Sequence, residues 1–247
     1  MISLKDKRIL ITGASSGIGR ATSLLFSQLG AELILTGRSE AELQNTSNLC
    51  KSPTRYFTAD LNEQVQIQNL AANAGVINGW VHCAGKVMPL PVKFIQQKHL
   101  TEIMNINFFS AVRLNAELMK NSCYAKNASL VFLSSISTLH PYFGGGPYIS
   151  SKSALEGYAK TLALELAPKK IRVNVLQPAL VKTQIYDLTK SASLSESEFS
   201  KYESQYPFGI GEPEDVAQAA AFLISDASRW ITGAFIKMDG GLSLGLK

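Results

Sequence analysis

Short apolar stretches alternate with longer amphipathic segments along most of the chain. The apolar stretches are rich in β-branched residues and predict buried strands, centred near Ile11, Ile34, Phe57, Val81, Val131, Val173 and Ile236. The amphipathic segments predict helices over residues 17–29, 40–49, 63–73, 99–121, 148–167 and 213–225. This alternation predicts an α/β fold: a doubly wound, seven-stranded parallel sheet with right-handed crossovers. No repeat or linker interrupts the alternation, so we expect one domain over residues 1–247.

One segment departs from the pattern. Residues 184–208 are rich in serine and charged residues, and aromatic side chains such as Phe199 and Tyr206 interrupt them. A surface loop would have such a composition. The position of the segment after the sixth predicted strand favours a lid over a substrate site.

Composition narrows the class of protein. With 46% hydrophobic and 17% charged residues, the 247-residue chain is typical of a globular protein. The net charge is +5, but the basic residues are scattered. The densest cluster, Lys169, Lys170 and Arg172, is better explained as the polar end of a helix than as a nucleic-acid surface. We therefore expect no nucleic-acid partner.

The apolar runs and the cysteines indicate the cellular compartment and whether the protein is membrane-bound. No apolar run is long enough to span a bilayer, and the first strand begins too soon after Met1 to leave room for a signal peptide. Cys50, Cys83 and Cys123 are unclustered and have no metal-ligand spacing, which fits a reducing compartment. We expect a cytoplasmic protein with no membrane partner and no metal site.

The first candidate site follows the first strand. Residues 8–12 run directly into the glycine-rich loop 13–19, and an apolar-periodic segment continues from there to Leu29. Backbone N–H groups at a helix start bind phosphate, and glycines let the phosphate approach without a Cβ in the way. The spacing GxxxGxG is a variant of the dinucleotide fingerprint. A tight strand-to-helix turn is the alternative explanation.

The second strand ends in Gly37, Arg38 and Ser39. A site for NAD usually has a carboxylate here to bind the ribose hydroxyls. A carboxylate would repel a 2′-phosphate, whereas a guanidinium attracts it. The sequence therefore predicts NADP(H) in preference to NAD(H), with Arg38 and either Ser15 or Ser39 on the phosphate. The alternative is that Arg38 is only a solvated loop charge.

The second candidate site combines Tyr148 and Lys152, which lie one turn apart on one helix face. A charge about 4 Å from the phenol, at an effective dielectric near 20, is worth about 4 kcal/mol. That energy corresponds to about three pKa units and would bring the pKa of the phenol near 7, before any cost of burial. Ser135 lies thirteen residues before Tyr148 and is the favoured partner. Its rivals are the neighbouring hydroxyl residues Ser134, Ser137 and Thr138.

Together these features resemble the short-chain dehydrogenase/reductase family over essentially the whole chain, and residues 207–215 and 231–233 are similar to the tail of 3-oxoacyl-carrier-protein reductases. The resemblance implies a Rossmann fold. Matches to the family's motifs are Thr12, Gly13, Gly17, Gly19, Asp60, Ala84, Gly85, Asn107, Ser135, Tyr148, Lys152, Thr183 and 239–241. The chain departs from the family at His82 and Cys83, which replace two asparagines. We expect His82 to be a packed residue rather than an acid or base.

The resemblance also implies residue roles. Tyr148 would exchange a proton with the substrate oxygen, and Ser135 would hydrogen-bond that oxygen. Lys152 would lower the pKa of the tyrosine and bind the nicotinamide ribose, and Asn107 would hold a water. These four residues are the expected catalytic set. The residues expected to bind coenzyme are Gly13, Ser15, Ser16, Gly17, Ile18, Gly19, Arg38, Asp60, Leu61, Ala84, Gly85, Tyr148, Lys152, Pro178, Val181 and Thr183.

The resulting expectation is an NADPH-dependent oxidoreductase that reduces a small-molecule ketone, such as a 3-oxoacyl thioester, to a secondary alcohol. A sugar or other secondary-alcohol dehydrogenase remains open, as does a non-catalytic NADP(H)-binding redox sensor. The predicted helices 99–121 and 148–167 carry more apolar residues than one buried face needs. Because family members commonly pair these helices, we expect a homodimer or homotetramer.

Overall fold

The computed structural model of the chain describes residues 2–184, 186 and 196–245. Its seven strands form one parallel sheet in the order β3-β2-β1-β4-β5-β6-β7. The strands are β1 (Arg8–Thr12), β2 (Glu32–Gly37), β3 (Thr54–Thr58), β4 (Ile77–His82), β5 (Tyr124–Leu133), β6 (Arg172–Pro178) and β7 (Phe235–Met238). Every predicted strand centre lies inside one of them. The predicted α/β fold is confirmed.

Helices cover both faces of the sheet. They are α1 (Gly17–Gln28), α2 (Glu40–Leu49), α3 (Gln64–Ala74), α4 (Gln97–Met104), α5 (Ser110–Lys120), α6 (Gly146–Leu166), α7 (Glu196–Glu203) and α8 (Pro213–Ile224). One core lies beneath α3, α5 and α6, and a second lies beneath α1, α2 and α8. Side chains of β1 alternate between the cores, with Leu10 in the first and Ile9 and Ile11 in the second. Burial on both faces explains why the strands read as continuous apolar runs.

The helix predicted over residues 99–121 is present, but its α-helical geometry is interrupted, which was not predicted. The helical segment begins at Gln97, and a π-helical turn, Asn105–Phe109, separates α4 from α5. Such a turn accommodates an extra residue without ending the helix, so the hydrophobic period gave no sign of it. The turn carries the buried side chain of Asn107.

The order of the strands indicates at which edge of the sheet a ligand would bind. After β3 the chain returns to the opposite side of β1 and forms β4 there, so the direction of winding reverses between β1 and β4. Open α/β sheets bind ligands at such a reversal, beyond the carboxyl ends of the strands. Thr12 and His82 are paired at this position.

The predicted lid at residues 184–208 lies only partly within the described residues, because Ile185 and residues 187–195 are outside them. The described part contains helix α7, which was not predicted. The hydroxyl of Tyr186 donates a hydrogen bond to Glu203 Oε1 (2.6 Å), and the rings of Tyr186 and Phe199 are 5.4 Å apart. These contacts join α7 to the chain that follows β6. The role as a lid, like the division of the chain into one domain, stays a prediction.

None of the helices in the described part of the chain has the length and apolar character needed to cross a membrane.

Candidate active site

A cavity opens at the carboxyl ends of β4, β5 and β6. Eight of the predicted site residues line it: Ile18, Gly85, Ser135, Tyr148, Lys152, Pro178, Val181 and Thr183. Cys83, Lys86, Leu133, Ser134, Ala179 and Leu180 complete the lining. Residues that are far apart in sequence therefore meet at one place, as the positions of the strand ends predicted.

Tyr148 and Lys152 are brought to the cavity by helix α6. Pro147 stands in the first turn of this helix, where a missing N–H costs nothing, and Tyr148 follows it directly. Lys152 Nζ lies 5.9 Å from the centre of the Tyr148 ring and donates a hydrogen bond to Leu133 O (2.8 Å). Only 5% of Lys152 is exposed. The two groups share one side of the helix and face the end of β5.

The pKa near 7 for the Tyr148 phenol, expected before any cost of burial, is not reached once burial is included. Burial raises the pKa of Tyr148 to about 12, although a hydrogen bond with Ser135 lowers it in part. Burial also lowers the pKa of Lys152 to about 8, and the negative charge of Glu156 opposes this decrease. The expectation set the cost of burial aside, and Lys152 directs its hydrogen bond to a backbone carbonyl. At neutral pH Tyr148 therefore carries its proton and Lys152 is mostly charged.

Ser135 is the hydroxyl residue that the structure sets against Tyr148. It is the N-cap of the short 3₁₀ turn Ile136–Thr138, and its Oγ accepts hydrogen bonds from Ser137 N (3.2 Å) and Ser137 Oγ (2.9 Å). The hydroxyls of Ser134 and Thr138 donate to Glu156 instead, over 2.6 and 2.9 Å. The three rivals therefore make other hydrogen bonds, which leaves the Ser135 proton for the cavity.

Asn107 connects three parts of the site. Its Oδ1 accepts from Lys86 N (2.8 Å), and its Nδ2 donates to Lys86 O (3.0 Å) and Ser151 Oγ (2.9 Å). A Cβ atom at Gly85 would lie 3.1 Å from Asn107 Oδ1 and 3.3 Å from Lys152 Nζ. Asn107 thus holds the chain after β4 against α6, and the absence of a side chain at Gly85 lets Asn107 and Lys152 come close. Its role in holding a water stays a prediction.

The glycine loop packs tightly between β1 and α1. Gly13 has φ +67°, and a Cβ there would lie 2.8 Å from Ala84 N. A Cβ at Gly19 would lie 2.1 Å from Gly13 O. The N-cap of α1, Ser16, makes no side-chain capping hydrogen bond, so N–H groups of the first turn are not capped by it. These observations fit a pyrophosphate held by the helix start, as expected for a dinucleotide.

The end of β2 fits the adenosine half of a coenzyme. Arg38 is exposed and has no ion pair with any residue that the structure describes. A Cβ at Gly37 would lie 3.2 Å from Ser15 Oγ, so Ser15 borders the position where a carboxylate would stand. Ser39 is the N-cap of α2 and accepts from Glu42 N. Of the two predicted serines, Ser15 borders Gly37, and Ser39 already caps α2.

Asp60 and Leu61 follow β3 at the same edge of the sheet. Asp60 Oδ1 accepts from Asn62 N (2.9 Å), and the Leu61 side chain is buried in the first core. The first-strand loop reaches this edge too, because Ala14 N donates to Thr36 O (3.1 Å). The predicted adenine-side residues thus lie together, although the cavity that holds Tyr148 does not include them.

His82 is packed into the sheet, where it replaces an asparagine of the family. Its Nδ1 lies 2.9 Å from Thr12 Oγ1, and its ring contacts those of Trp80 and Phe132. Burial, followed by repulsion from Lys152, lowers the pKa of His82 to about 3. Cys83 lines the cavity, but burial raises the pKa of its thiol to about 12, which disfavours the reactive thiolate. Neither side chain is suited to acid–base work at neutral pH.

The burial of His82 predicts a loss of stability in acid. Between pH 6.5 and about 3, the unfolded chain binds a proton at this residue and the folded chain does not. The free energy of unfolding should therefore fall with pH by about 1.4 kcal/mol per unit from this residue alone. Urea denaturation between pH 7 and pH 4 gives the free energy of unfolding as a function of pH. In His82→Asn this free energy should fall less steeply with pH, by about 1.4 kcal/mol per unit, because one fewer proton is taken up on unfolding. The matched control is His140→Asn, at an exposed position. An unaltered slope in His82→Asn would contradict the assignment.

Sequence reasoning missed Glu156 and Gln177. Glu156 lies one turn beyond Lys152 on α6, and Gln177 lies near the end of β6. Gln177 Nε2 donates to Glu156 Oε1 (2.8 Å). The four-residue spacing of Tyr148, Lys152 and Glu156 was the available signal for the carboxylate.

Comparison with known proteins identifies the family. A family model described as enoyl-(acyl carrier protein) reductase matches residues 13–243. The chain belongs to the short-chain dehydrogenase/reductase family, as the sequence motifs indicated, and is an oxidoreductase of CH–OH and C=O groups.

Similar curated proteins are named 3-oxoacyl-[acyl-carrier-protein] reductase FabG. That of Rickettsia conorii is 32% identical over 243 residues, which cover 98% of this chain and 99% of the relative. That of Thermotoga maritima is 32% identical over 247 residues, which cover 97% of this chain and 98% of the relative. A short-chain dehydrogenase/reductase structure from Mycobacterium ulcerans has a TM-score of 0.88 at 27% identity, with 98% of this chain and 91% of that chain covered. The structure of levodione reductase shares the fold, with a TM-score of 0.91 at 20% identity. The match covers 98% of this chain and 100% of the levodione reductase chain.

Proposed function

We propose that the protein is an NADPH-dependent reductase that converts a ketone into a secondary alcohol, with 3-oxoacyl thioesters as the favoured substrate class. The observation that carries the proposal is the meeting of Ser135, Tyr148 and Lys152 at one cavity on the carboxyl edge of the sheet. The names of the similar curated proteins support the substrate class.

The protonation state of Tyr148 supports the direction of reduction. A phenol with a pKa of about 12 keeps its proton at neutral pH and can donate it to a carbonyl oxygen as negative charge develops there. Ser135 donates a second hydrogen bond to the same oxygen. The charged ammonium of Lys152, on the same side of the helix, stabilises the tyrosinate that remains. Bound NADPH would supply the hydride.

The coenzyme preference rests on Arg38 and Ser15, which would hold the 2′-phosphate, while the glycine loop holds the pyrophosphate. Lys152 would also bind the nicotinamide ribose. Asn107 would hold the loop after β4 in place against helix α6 through its hydrogen bonds to Lys86 and Ser151. The described part of the segment 184–208 would close over the substrate. Cytoplasmic location and a homodimer or homotetramer stay predictions; the exposed apolar side chains of Phe109 and Leu164 support self-association.

NADPH consumption tests the function. The purified protein should oxidise NADPH with acetoacetyl thioesters faster than with ketoses, steroid ketones or simple ketones. A 2-enoyl thioester of the same chain length belongs in the panel because the matching family model is described by enoyl reduction. Preference for the enoyl thioester would contradict the proposed carbonyl substrate. Binding of NADPH without consumption on any compound would favour the redox sensor.

A further inference from the structure

Helix α6 presents three functional groups on one face. Tyr148, Lys152 and Glu156 follow one another at intervals of four residues, which places them on the same side of the helix one turn apart. The first two face the cavity. The third is partly buried one turn further along, where it contacts the loop after β5, and no role in the reduction has yet been given to it.

One oxygen atom of Glu156 accepts three hydrogen bonds. The donors to Oε1 are Ser134 Oγ (2.6 Å), Gln177 Nε2 (2.8 Å) and Thr138 Oγ1 (2.9 Å), whose one proton is shared with Ser135 O (3.0 Å). Ser134 precedes Ser135 directly, and Thr138 ends the turn that Ser135 begins. The carboxylate therefore holds both sides of the segment that carries the reactive serine. Hydrogen bonds to a charged acceptor are about twice as strong as neutral ones, so a neutral group would hold this segment less firmly.

Lys152 makes a second tie between the same two elements. Its Nζ donates to Leu133 O, two residues before Ser135. Segment 133–138 is thus fastened to α6 at Lys152 and again at Glu156. The relative position of the serine and tyrosine hydroxyls depends on these two attachments.

We propose that Glu156 is a positioning residue for the proposed reduction: its carboxylate fixes the Ser135 loop against helix α6 and supports the positive charge of Lys152. The inference rests on the proposed function for the reaction that it serves. Electrostatics points the same way. Burial lowers the pKa of Lys152, and the negative charge of Glu156 opposes this decrease.

Two substitutions separate the hydrogen bonds from the charge. Glu156→Gln keeps an acceptor oxygen but removes the charge, whereas Glu156→Leu removes both with little change in size. The matched control is Glu165→Gln, which removes the same charge from an exposed position on the same helix. Each variant is compared with the unaltered protein in kcat, in the dissociation constant for NADPH and in its thermal unfolding.

We expect Glu156→Leu to reduce kcat by about 10- to 100-fold, because the reacting hydroxyls lose their relative placement. Affinity for NADPH should stay within about two-fold, because Glu156 does not border the glycine loop or Arg38. Glu156→Gln should recover most of the kcat but reach its optimum at lower pH. Glu165→Gln should match the unaltered protein in every measurement.

The titration of Lys152 gives a readout that does not need turnover. NMR of side-chain-labelled lysine, assigned with Lys152→Arg, should show a lower pKa for Lys152 in Glu156→Gln than in the unaltered protein. An unchanged Lys152 titration, or a kcat within about two-fold in a folded Glu156→Leu, would overturn the inference. If Glu156→Leu does not fold, the Lys152 titration and pH profile of Glu156→Gln decide. Absence of turnover in the unaltered protein would instead overturn the proposed function, and the Lys152 titration would still test the electrostatic part.

Discussion

Replacing Tyr148 by phenylalanine should lower kcat by about 10²- to 10⁴-fold, the contribution typical of a positioned general acid. The phenol is held in its protonated form by burial and is set against Ser135, so its removal leaves the carbonyl oxygen without a proton donor. Ser135 could still supply a hydrogen bond, but its proton is not transferred in the proposed reaction. Turnover is measured by the absorbance of NADPH with the best substrate of the panel.

Affinity for coenzyme distinguishes this loss from misfolding. The dissociation constant of NADPH should change little, because the ring of Tyr148 remains and the glycine loop is untouched. The matched control is Tyr158→Phe on the same helix, whose hydroxyl accepts a hydrogen bond from Asn115 (2.8 Å) outside the cavity. This control should keep its turnover. If Tyr148→Phe retains more than about 5% of kcat, well above the loss expected for a general acid, the proton comes from another group.

Changing Arg38 to aspartate should reverse the preference for coenzyme. The guanidinium is exposed and has no ion pair among the described residues, so it is available to a phosphate. A hydrogen bond to a charged group contributes about 1.5–3 kcal/mol, and aspartate would add repulsion of the 2′-phosphate. We expect kcat/KM for NADPH to fall by about 100-fold, while that for NADH stays equal or rises.

The matched control for this change is Arg55→Asp. Arg55 is an exposed residue of the neighbouring strand β3, so the control makes the same change of charge nearby. It should leave the ratio of the two coenzymes unaltered. Equal or better use of NADH by the unaltered protein would defeat the assignment of NADP(H) before any substitution is made.

Local signals were sufficient for much of the fold. The five inner strands β2, β1, β4, β5 and β6 are short, apolar and largely buried on both faces, so their positions could be predicted without knowing what packs on them. The glycine loop could also be predicted, since Gly13 and Gly19 stand where any side chain would meet backbone atoms. In both cases the residue type is dictated by its immediate surroundings.

The π-helical turn at Asn105–Phe109 could not be predicted from periodicity. The turn contains Asn107, whose hydrogen bonds to Lys86 and Ser151 join residues far apart in the chain. Glu156 was missed for a related reason. Its three donors come from the loop after β5 and from β6, and only the folded sheet brings them together.

The acidity of Tyr148 shows where reasoning from spacing fails. The four-residue spacing placed Lys152 on the correct face, but the pKa of a phenol depends on burial as well as on a neighbouring charge. Burial is a property of the assembled cavity, and here it raises the pKa of Tyr148 to about 12, against a hydrogen bond with Ser135. With a pKa of about 12, Tyr148 carries its proton at neutral pH, as the proposed role of a proton donor requires.

The central claim is that this cavity directs a hydride from NADPH to a carbonyl carbon while Tyr148 protonates the oxygen. The most direct test follows deuterium from (4R)- and (4S)-[4-²H]NADPH into the alcohol formed from an acetoacetyl thioester, by mass spectrometry. One of the two labelled coenzymes should deliver its deuterium to the carbinol carbon, and the other should deliver none. Alcohol that is unlabelled with both coenzymes, or labelled equally by each, would contradict the account.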